Sequence, residues 1–289
     1  MEVIKTIKEL QAKLDECRSE NKSIGFVPTM GALHRGHISL VERSVAENDA
    51  TVASVFVNPT QFNNKEDLEK YPRTGEADLA MLKKAGTDIV FVPTVEEMYP
   101  EPDKRQFDFG KLATVMEGQF RPGHFNGVAQ VVSRLFDIVK PDRAYFGEKD
   151  FQQLAIIRDM VKQLGLKVEI KGCPIVREPD GLAMSSRNMR LSDELRKEAA
   201  GISQVLFKSK EIYKEYAVSA LILRVLDHIN ALDGINAEYF EIVDGFTLQP
   251  IHDWSETAYP VGCVAAFAGG VRLIDNIVYD NPLHPSFSH

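Results

Sequence analysis

Residues 28–37 read PTMGALHRGH and lie between a short apolar run and a helical pattern. The apolar run at 23–27 predicts a buried strand, and the apolar residues of 37–47 recur at helical spacing. His34 and His37 are therefore expected at a strand-to-helix turn. The free N–H groups and positive dipole end of such a helix attract phosphate, and imidazoles aimed at the same anion add donors. The order strand, HxGH, helix predicts a nucleotide site that handles the phosphates of ATP.

Two glycines belong to the same stretch. Gly31 and Gly36 remove side chains where a ligand must come close to the backbone. A structural alternative stays open for the histidines, because imidazoles also cap helices and fill turns.

The length and charge of the chain limit its fold and its partners. At 289 residues the chain exceeds the usual size of one core, so two domains are expected. Hydrophobic residues make up 44% and charged residues 26%, which is typical of a soluble globular protein. The net charge of −8 disfavours nucleic-acid binding, so we expect small-molecule substrates.

Neither a membrane segment nor a cysteine framework is indicated. No apolar run reaches the roughly 18 to 20 residues of a membrane span. Residues 1–20 predict an amphipathic helix of mixed charge rather than a signal peptide. Cys17, Cys173 and Cys263 are scattered and lack the spacing of a zinc site. We therefore expect free thiols in a reducing cytoplasm and no metal held by protein ligands alone.

Strands and helices alternate through the first part of the chain. Three further runs predict buried strands, at 51–57, 88–92 and 143–146. Helical patterns stand between them at 76–85 and 126–139. This alternation favours right-handed crossovers and a parallel sheet, which is an α/β fold.

Polar residues follow two of these strands. Gln61 comes after the strand at 51–57, and Lys149 and Gln153 come after the strand at 143–146. Ligands of an open parallel sheet bind beyond the carboxyl ends of its strands, so these side chains are candidates for one site. Lys149 is a compact charge suited to a phosphate. A solvated loop glutamine and a salt-bridged helix start are the structural alternatives.

A second cationic loop precedes the helix at 126–139. Arg121 and His124 bracket a proline and a glycine there. The loop could bind phosphate or could be a solvated turn, and the pattern favours neither.

The segment at 177–192, REPDGLAMSSRNMRLS, lacks a strong period and predicts a loop. Hydroxyls donate hydrogen bonds and a guanidinium binds bidentately, so its two serines and Arg187 could clamp a phosphate. Gly181 and its short polar neighbours have little to pack against, so we expect the loop from Glu178 to Asn188 to be mobile without ATP and to close over the triphosphate, which excludes water. An inert linker would have a similar composition.

The order of predicted helices and strands changes after this loop. Two helical patterns follow one another within 192–232 without a strand between them. Strand patterns then occupy 237–243 and 261–278. This order is typical of an α+β domain, and we place the boundary near Ile175. The expected domains are 1–175 and 176–289.

Five motifs run in order along the chain. They are PTMGALHRGH at 28–37, VNPTQF at 57–62, FRPGHFNGV at 120–128, GEKDFQQ at 147–153 and AMSSRN at 183–188. Together with RLIDN at 272–276, they resemble the pantoate–β-alanine ligase (pantothenate synthetase) family of the nucleotidyltransferase superfamily. The resemblance implies a Rossmann-like nucleotidyltransferase domain with a smaller C-terminal α+β domain.

The resemblance also implies a reaction. ATP and pantoate would form an enzyme-bound pantoyl adenylate with release of pyrophosphate, and β-alanine would then attack it to give pantothenate and AMP. His34, His37 and Lys149 would be the catalytic residues, with His37 as the proton donor. Gln61 and Gln153 would bind pantoate, and Gln61 would also lie near β-alanine. The residues implied to contact ATP are Met30, Gly31, Ala32, Leu33, His34, Arg35, Gly36, His37, Gly147, Glu148, Lys149, Asp150, Val176, Met184, Ser185, Ser186 and Arg187.

Residues 184–187 would correspond to the KMSKS-like loop of the superfamily. By the same resemblance, Mg²⁺ accompanies the triphosphate and the protein is a cytoplasmic homodimer. The tail after Asn281 matches no part of the family pattern.

Two other classes of protein would keep the HxGH site. A simple nucleotidyltransferase would pass a nucleotide to a phosphate and would need no second substrate amine. A non-catalytic nucleotide-binding or tRNA-binding module would keep the fold, but the charge of −8 and the presence of Lys149, Ser185 and Arg187 disfavour it.

Overall fold

The alternation of apolar runs and helical patterns forms a parallel sheet in the computed structural model, which describes residues 1–62 and 65–280. The described chain divides into two units. The first unit comprises Met1–Phe109, Arg121–Glu148 and Gln153–Val176, and the second comprises Gly110–Phe120, Lys149–Gln152 and the residues from Arg177 onward.

The sheet of the first unit has six strands in the described chain, all parallel, in the order β1-β4-β3-β2-β5-β6. The strands are β1 Glu2–Ile4, β2 Ile24–Thr29, β3 Ala50–Val55, β4 Ile89–Phe91, β5 Arg143–Gly147 and β6 Glu169–Cys173. The helices of this part of the chain are α1 Ile7–Ser19, α2 Arg35–Glu47, α3 Lys65–Glu69, α4 Gly75–Lys84, α5 Val95–Met98, α7 His124–Val139 and α8 Phe151–Gln163. The fold class expected from the sequence is confirmed.

The strand order fixes where a ligand site can form. The chain runs from β2 through β3 to β4 on one side, and then starts again on the other side of β2 with β5. In an open parallel sheet, ligands bind where the strand order reverses in this way. The loops that follow β2 and β5 leave the sheet at this point, and they carry the motifs at 28–37 and 147–153.

Helix α2 packs closely on the strand before it. A Cβ added at Gly25 would lie 2.2 Å from Oγ of Ser44, so only glycine allows this approach. Val27, Val41 and Val90 are fully buried in the core around the central strands. This packing determines the direction in which α2 leaves β2.

The second unit has its own sheet and its own core. Its strands β7 Ile235–Asp244, β8 Pro260–Ala268 and β9 Val271–Val278 are antiparallel and lie in that order. The remaining helices of the described chain are α6 Met116–Phe120, α9 Asp193–Ile212 and α10 Val218–Asn230. Leu206, Leu221 and Ile229 of α9 and α10 pack with Ile242 and Val264 of the sheet in one buried cluster.

Three local expectations are wrong. Residues 2–4 form strand β1 rather than the start of a helix, because they pair with Ile89–Phe91. Three acids and two prolines in the stretch 95–102 predict a loop, but residues 95–98 form a helical turn capped by Thr94. Within 177–192, Leu182 and Ala183 are each 4% exposed, where little packing was expected.

The same segment also has internal structure. Arg177 pairs with Ala183 in an antiparallel bridge, and Ser186–Arg190 form a 3₁₀ turn. Part of the segment is therefore packed, and its closure over a triphosphate stays a prediction.

In the described ranges, no helix has the length and apolar character needed to cross a membrane. Cys17, Cys173 and Cys263 are free thiols, as expected. The tail after Asn281 lies outside the described residues.

Candidate active site

The HxGH turn is built as a reciprocal helix cap. His34 is the N-cap residue of α2, and its Nδ1 accepts a hydrogen bond from the N–H of Gly36 at 3.2 Å. Nδ1 of His37 accepts in turn from the N–H of His34 at 3.3 Å. The two imidazole rings lie 4.0 Å apart between centroids. Capping is therefore one role of both histidines.

The cap also determines where the imidazole protons lie. A nitrogen that accepts a hydrogen bond uses its lone pair, so the proton of the neutral ring must be on the other nitrogen. Since Nδ1 accepts in both His34 and His37, Nε2 carries the proton in both neutral rings. Each neutral ring thus has an N–H group, which is the kind of group from which a phosphate oxygen accepts a hydrogen bond. Capping and anion binding are compatible roles for these two residues.

A buried carboxylate holds the turn ahead of the cap. Asp78 of α4 is 2% exposed and accepts from the N–H of Ala32 at 3.0 Å and of Leu33 at 2.8 Å. Thr74 donates its hydroxyl to the same carboxylate at 2.9 Å. Gly31 and Ala32 have φ values of 79° and 50°, in the left-handed region that disfavours residues with a Cβ. The two hydrogen bonds to Asp78 stabilise this turn.

Gln61 is brought directly onto the HxGH loop. Its Nε2 donates to the sulfur of Met30 at 2.9 Å, and its Oε1 accepts from Nδ2 of Asn58 at 3.4 Å. Asn58 is 1% exposed and is the N-cap of the 3₁₀ turn Pro59–Gln61. The loops that follow β2 and β3 therefore meet at Gln61 and Met30.

Helix α7 contacts the main chain at Gln61. His124 is 6% exposed, and its Nδ1 donates to the main-chain carbonyl of Gln61 at 2.9 Å. A Cβ added at Gly127 would lie 2.6 Å from the carbonyl oxygen of Thr60, so the helix and the turn are in close backbone contact. The structure thus places His124 in a positioning contact, while Arg121 is partly buried.

The motif that follows β5 is divided between the two units. Gly147 ends β5, and the N–H of Glu148 donates to the carbonyl of Cys173 at 2.8 Å in the first unit. Gln153 lies in the first turn of α8, also in the first unit, and is partly buried. Val176 ends the first unit.

Lys149 and Asp150 belong to the second unit, together with residues 184–187. The carbonyl of Lys149 accepts from Nδ2 of Asn276 at 3.1 Å. Asp275 is 5% exposed and makes a bidentate ion pair with Arg177, with contacts of 2.7 and 3.0 Å. These contacts attach the RLIDN strand region to the segments that carry the candidate residues.

The MSSR segment is ordered by its own side chains. Oγ of Ser185 accepts from the N–H of Arg187 at 3.2 Å, and Nδ2 of Asn188 donates to the carbonyl of Ala183 at 3.1 Å. A small cleft in the second unit is lined by Lys149, Leu182, Ala183, Ser185, Asn188, Ile202, Leu273, Ile274 and Asp275. The structure therefore brings Lys149 and the serine segment together within that unit.

Sequence reasoning missed three residues of the first unit, of which Asp78 and Asn58 are buried and Tyr99 is partly buried. Asp78 holds the turn before the cap, Asn58 contacts Gln61, and Tyr99 donates its hydroxyl to Asn58 at 3.1 Å. A single aspartate in the first turn of a helix and a tyrosine after a helical turn give no signal of their own. Their roles depend on which elements pack against each other.

Known proteins match this chain over nearly its whole length. Residues 2–278 match the sequence model of the family described as pantoate-beta-alanine ligase. A pantothenate synthetase from Phocaeicola vulgatus is 64% identical over 280 residues, which are 96% of this chain and 99% of the relative.

Solved structures agree as well. Pantothenate synthetase from Thermus thermophilus superposes with a TM-score of 0.91 at 47% identity, and covers 97% of this chain and 100% of that chain. Pantoate-beta-alanine ligase from Francisella tularensis, complexed with beta-gamma ATP and beta-alanine, gives a TM-score of 0.80 at 34% identity, covering 96% of this chain and 98% of that chain. With its HxGH cap, its sheet topology and these matches over nearly its whole length, the chain belongs to the pantoate–β-alanine ligase family.

Proposed function

We propose that the chain uses ATP to condense pantoate with β-alanine, by way of an enzyme-bound pantoyl adenylate. The family places the chain among the ligases. The observation that carries the mechanism is the contact of Gln61 with Met30, because it joins the loop proposed to hold the acid to the loop proposed to hold the phosphates. The Francisella relative, complexed with beta-gamma ATP and beta-alanine, supports the choice of these two substrates.

The first step is an attack of the pantoate carboxylate on the α-phosphorus of ATP. A bond forms between a carboxylate oxygen and phosphorus, and the bond to pyrophosphate breaks. Two anions must approach each other, so donors and cations have to neutralise the phosphates in advance. We assign this role to His34, His37 and Lys149, with the hydroxyls of 185–186 and Arg187, and we keep His37 as the proton donor.

The second step uses β-alanine. Its neutral amine attacks the acyl carbon of the adenylate, a C–N bond forms, and AMP leaves with the electron pair of the acyl C–O bond. The amine loses one proton to solvent or a nearby base. Gln61 and Gln153 are proposed to hold pantoate, because neutral carboxamides can orient its oxygens without quenching the nucleophilic carboxylate.

The remaining ATP contacts are proposed by position in the family motifs. They are Met30, Gly31, Ala32, Leu33, Arg35, Gly36, Gly147, Glu148, Asp150, Val176, Met184 and Ser186. We also propose that residues 1–175 form the domain that binds ATP and pantoate. Residues 176–289 would form the smaller domain that carries the segment 184–187.

Mg²⁺ is proposed to enter with the triphosphate. In the part of the chain that the structure describes, no three His, Cys, Asp or Glu side chains converge as metal ligands. Mg²⁺ commonly binds through substrate phosphates and water with only one or two carboxylates, so a protein cage is not needed. When bound, the ion would neutralise phosphate charge and orient the leaving group.

A cytoplasmic homodimer is proposed from the same family relation. Sedimentation equilibrium should then report twice the chain mass of 32.4 kDa. A single-chain mass at micromolar concentration would contradict the dimer.

The reaction is tested by exchange of labelled pyrophosphate into ATP. We expect exchange with pantoate and Mg²⁺ alone, because the adenylate forms reversibly before the amine is used. Adding EDTA should abolish it, and adding β-alanine should produce AMP and pantothenate.

Two outcomes of the exchange assay would contradict the proposed reaction in different ways. Exchange that appears only when β-alanine is present would replace the adenylate by a concerted three-substrate route. Exchange that needs no pantoate would show that the acid has been misidentified.

A further inference from the structure

Tyr99 is held in a defined place at the end of α5. Its ring lies 6.2 Å from that of Phe56 between centroids, and the guanidinium of Arg134 lies 5.9 Å from the ring centroid. Its hydroxyl donates to Oδ1 of Asn58 at 3.1 Å. Burial raises the pKa of Tyr99, so the hydroxyl keeps its proton and remains a donor. Tyr99 is not among the residues proposed above to contact a substrate.

Both polar atoms of the Asn58 side chain have hydrogen-bond partners. Oδ1 accepts from the N–H of Thr60 at 3.4 Å and from its hydroxyl at 3.1 Å, in addition to Tyr99. Nδ2 donates to the carbonyl of Gly127 at 3.3 Å and to Oε1 of Gln61 at 3.4 Å. Donors surround one end of the carboxamide and acceptors surround the other. The carboxamide of Asn58 therefore has one favourable orientation.

The orientation of the Asn58 carboxamide also determines that of Gln61. Because Asn58 presents an N–H, Gln61 must turn its Oε1 towards Asn58, and its Nε2 then faces Met30. A flip of the Gln61 carboxamide would set its Nε2 against Nδ2 of Asn58, which places two donors together. The NH₂ group is the end that can donate to an anionic acid, whereas Oε1 would repel a carboxylate.

We propose that Tyr99 is a positioning residue for the acid substrate, which acts through Asn58 to keep the NH₂ end of Gln61 presented to pantoate. The proposal rests on the proposed function, in which Gln61 holds pantoate. Tyr99, the residue after α5, would thus contribute to recognition of the acid although it does not contact the substrate.

The test is Tyr99→Phe, assayed by pantoate-dependent pyrophosphate exchange without β-alanine. The variant keeps the ring and its contacts with Phe56 and Arg134 and removes only the hydroxyl. Loss of one neutral hydrogen bond predicts a KM for pantoate raised about two- to tenfold. The KM for ATP should stay within about twofold, since no ATP ligand is changed. A rise of both KM values together would indicate a general structural role and overturn the proposal.

The matched control is Tyr279→Phe. Its hydroxyl is likewise hydrogen-bonded, to Oγ of Ser209 at 3.0 Å, but Tyr279 is buried and lies in the second unit. We expect both KM values of this variant to match the parent. A selective rise in its pantoate KM would show that loss of any buried hydroxyl has this effect, and would overturn the assignment to Tyr99.

A double-mutant cycle tests the route through Gln61. In a Gln61→Ala background there is no carboxamide to orient, so Tyr99→Phe should change the pantoate KM no further. An unchanged multiplicative effect in that background would overturn the proposal. Absence of pantoate-dependent exchange in the parent would refute the proposed function, and the Tyr99 assignment with it. An active parent with an unaltered Tyr99→Phe variant would refute the Tyr99 assignment alone.

Discussion

Asp78 accepts two backbone hydrogen bonds from the turn that leads into the HxGH cap, at 2.8 and 3.0 Å. Its carboxylate has only acceptor oxygens when ionised, which matches the two N–H groups of Ala32 and Leu33. A Cβ added at the neighbouring Gly31 would lie 3.0 Å from Oδ2 of this carboxylate. At the scale of single residues, the shape of the turn thus depends on the side chain of Asp78. This residue is distant from the turn in sequence and is not among the proposed substrate contacts.

We expect Asp78→Asn to slow pantoate-dependent exchange and to lower stability. The carboxamide would turn one NH₂ group towards an N–H group and leave a buried donor unsatisfied, at a cost of about 1 to 3 kcal/mol. Denaturant unfolding and exchange rates would be measured side by side. Glu76→Gln, an exposed change in the same helix turn, is the control and should be close to neutral. Equal behaviour of the two variants would remove Asp78 from this role.

The contact of α7 with the turn Pro59–Gln61 decides the position of Gln61 at the scale of elements. A Cβ at Gly127 would lie 2.6 Å from the carbonyl oxygen of Thr60 and 2.9 Å from Cα of Gln61. Both neighbours are backbone atoms, so they can move only if the helix or the turn moves. His124, one turn earlier on the same face, adds its hydrogen bond to the Gln61 carbonyl.

Gly127→Ala should therefore displace the turn. We expect a loss of about 1 to 3 kcal/mol, which is typical of overpacking, and a rise in the KM for pantoate. Gly75→Ala is the matched control, because a Cβ there meets nothing within 4 Å. That change should be neutral or stabilising by up to about 1 kcal/mol. A Gly127→Ala variant with the parental melting curve and KM would contradict the importance of this contact.

At the scale of the whole molecule, the two units are not consecutive in sequence. The second unit includes Gly110–Phe120 and Lys149–Gln152, which precede the expected boundary near Ile175. Glu117 of α6 accepts two hydrogen bonds from Arg272 of β9, at 2.8 and 2.6 Å, and one from Tyr239 of β7 at 2.9 Å. A chain cut at the expected boundary would therefore separate Arg272 from one of its carboxylates.

Glu117→Gln tests this internal connection of the second unit. Hydrogen bonds to charged groups contribute about 1.5 to 3 kcal/mol, so we expect a loss of that size in the free energy of unfolding. Glu211→Gln is the control, because its ion pair with Lys208 is exposed and should contribute at most about 1 kcal/mol. Equal losses in the two variants would show that the cluster around Arg272 adds nothing beyond a surface pair.

The sequence alone determined the alternating strands and helices, the parallel sheet and the position of the HxGH turn at the end of β2. Those features follow from local periods and from residues close together in the chain, which a single sequence displays. It also determined the family, because the motifs at 28–37, 57–62 and 147–153 are contiguous strings.

Only the tertiary structure decided which buried groups satisfy one another. Residues 2–4 became a strand through pairing with β4, Asp78 met the turn at 31–33, and Tyr99 met Asn58. The imidazole tautomers of the HxGH turn also required the observed cap geometry. The physical reason is that a buried donor or acceptor is satisfied by whichever group packing brings within about 3 Å, and that partner is set by the crossing of distant elements rather than by any local pattern.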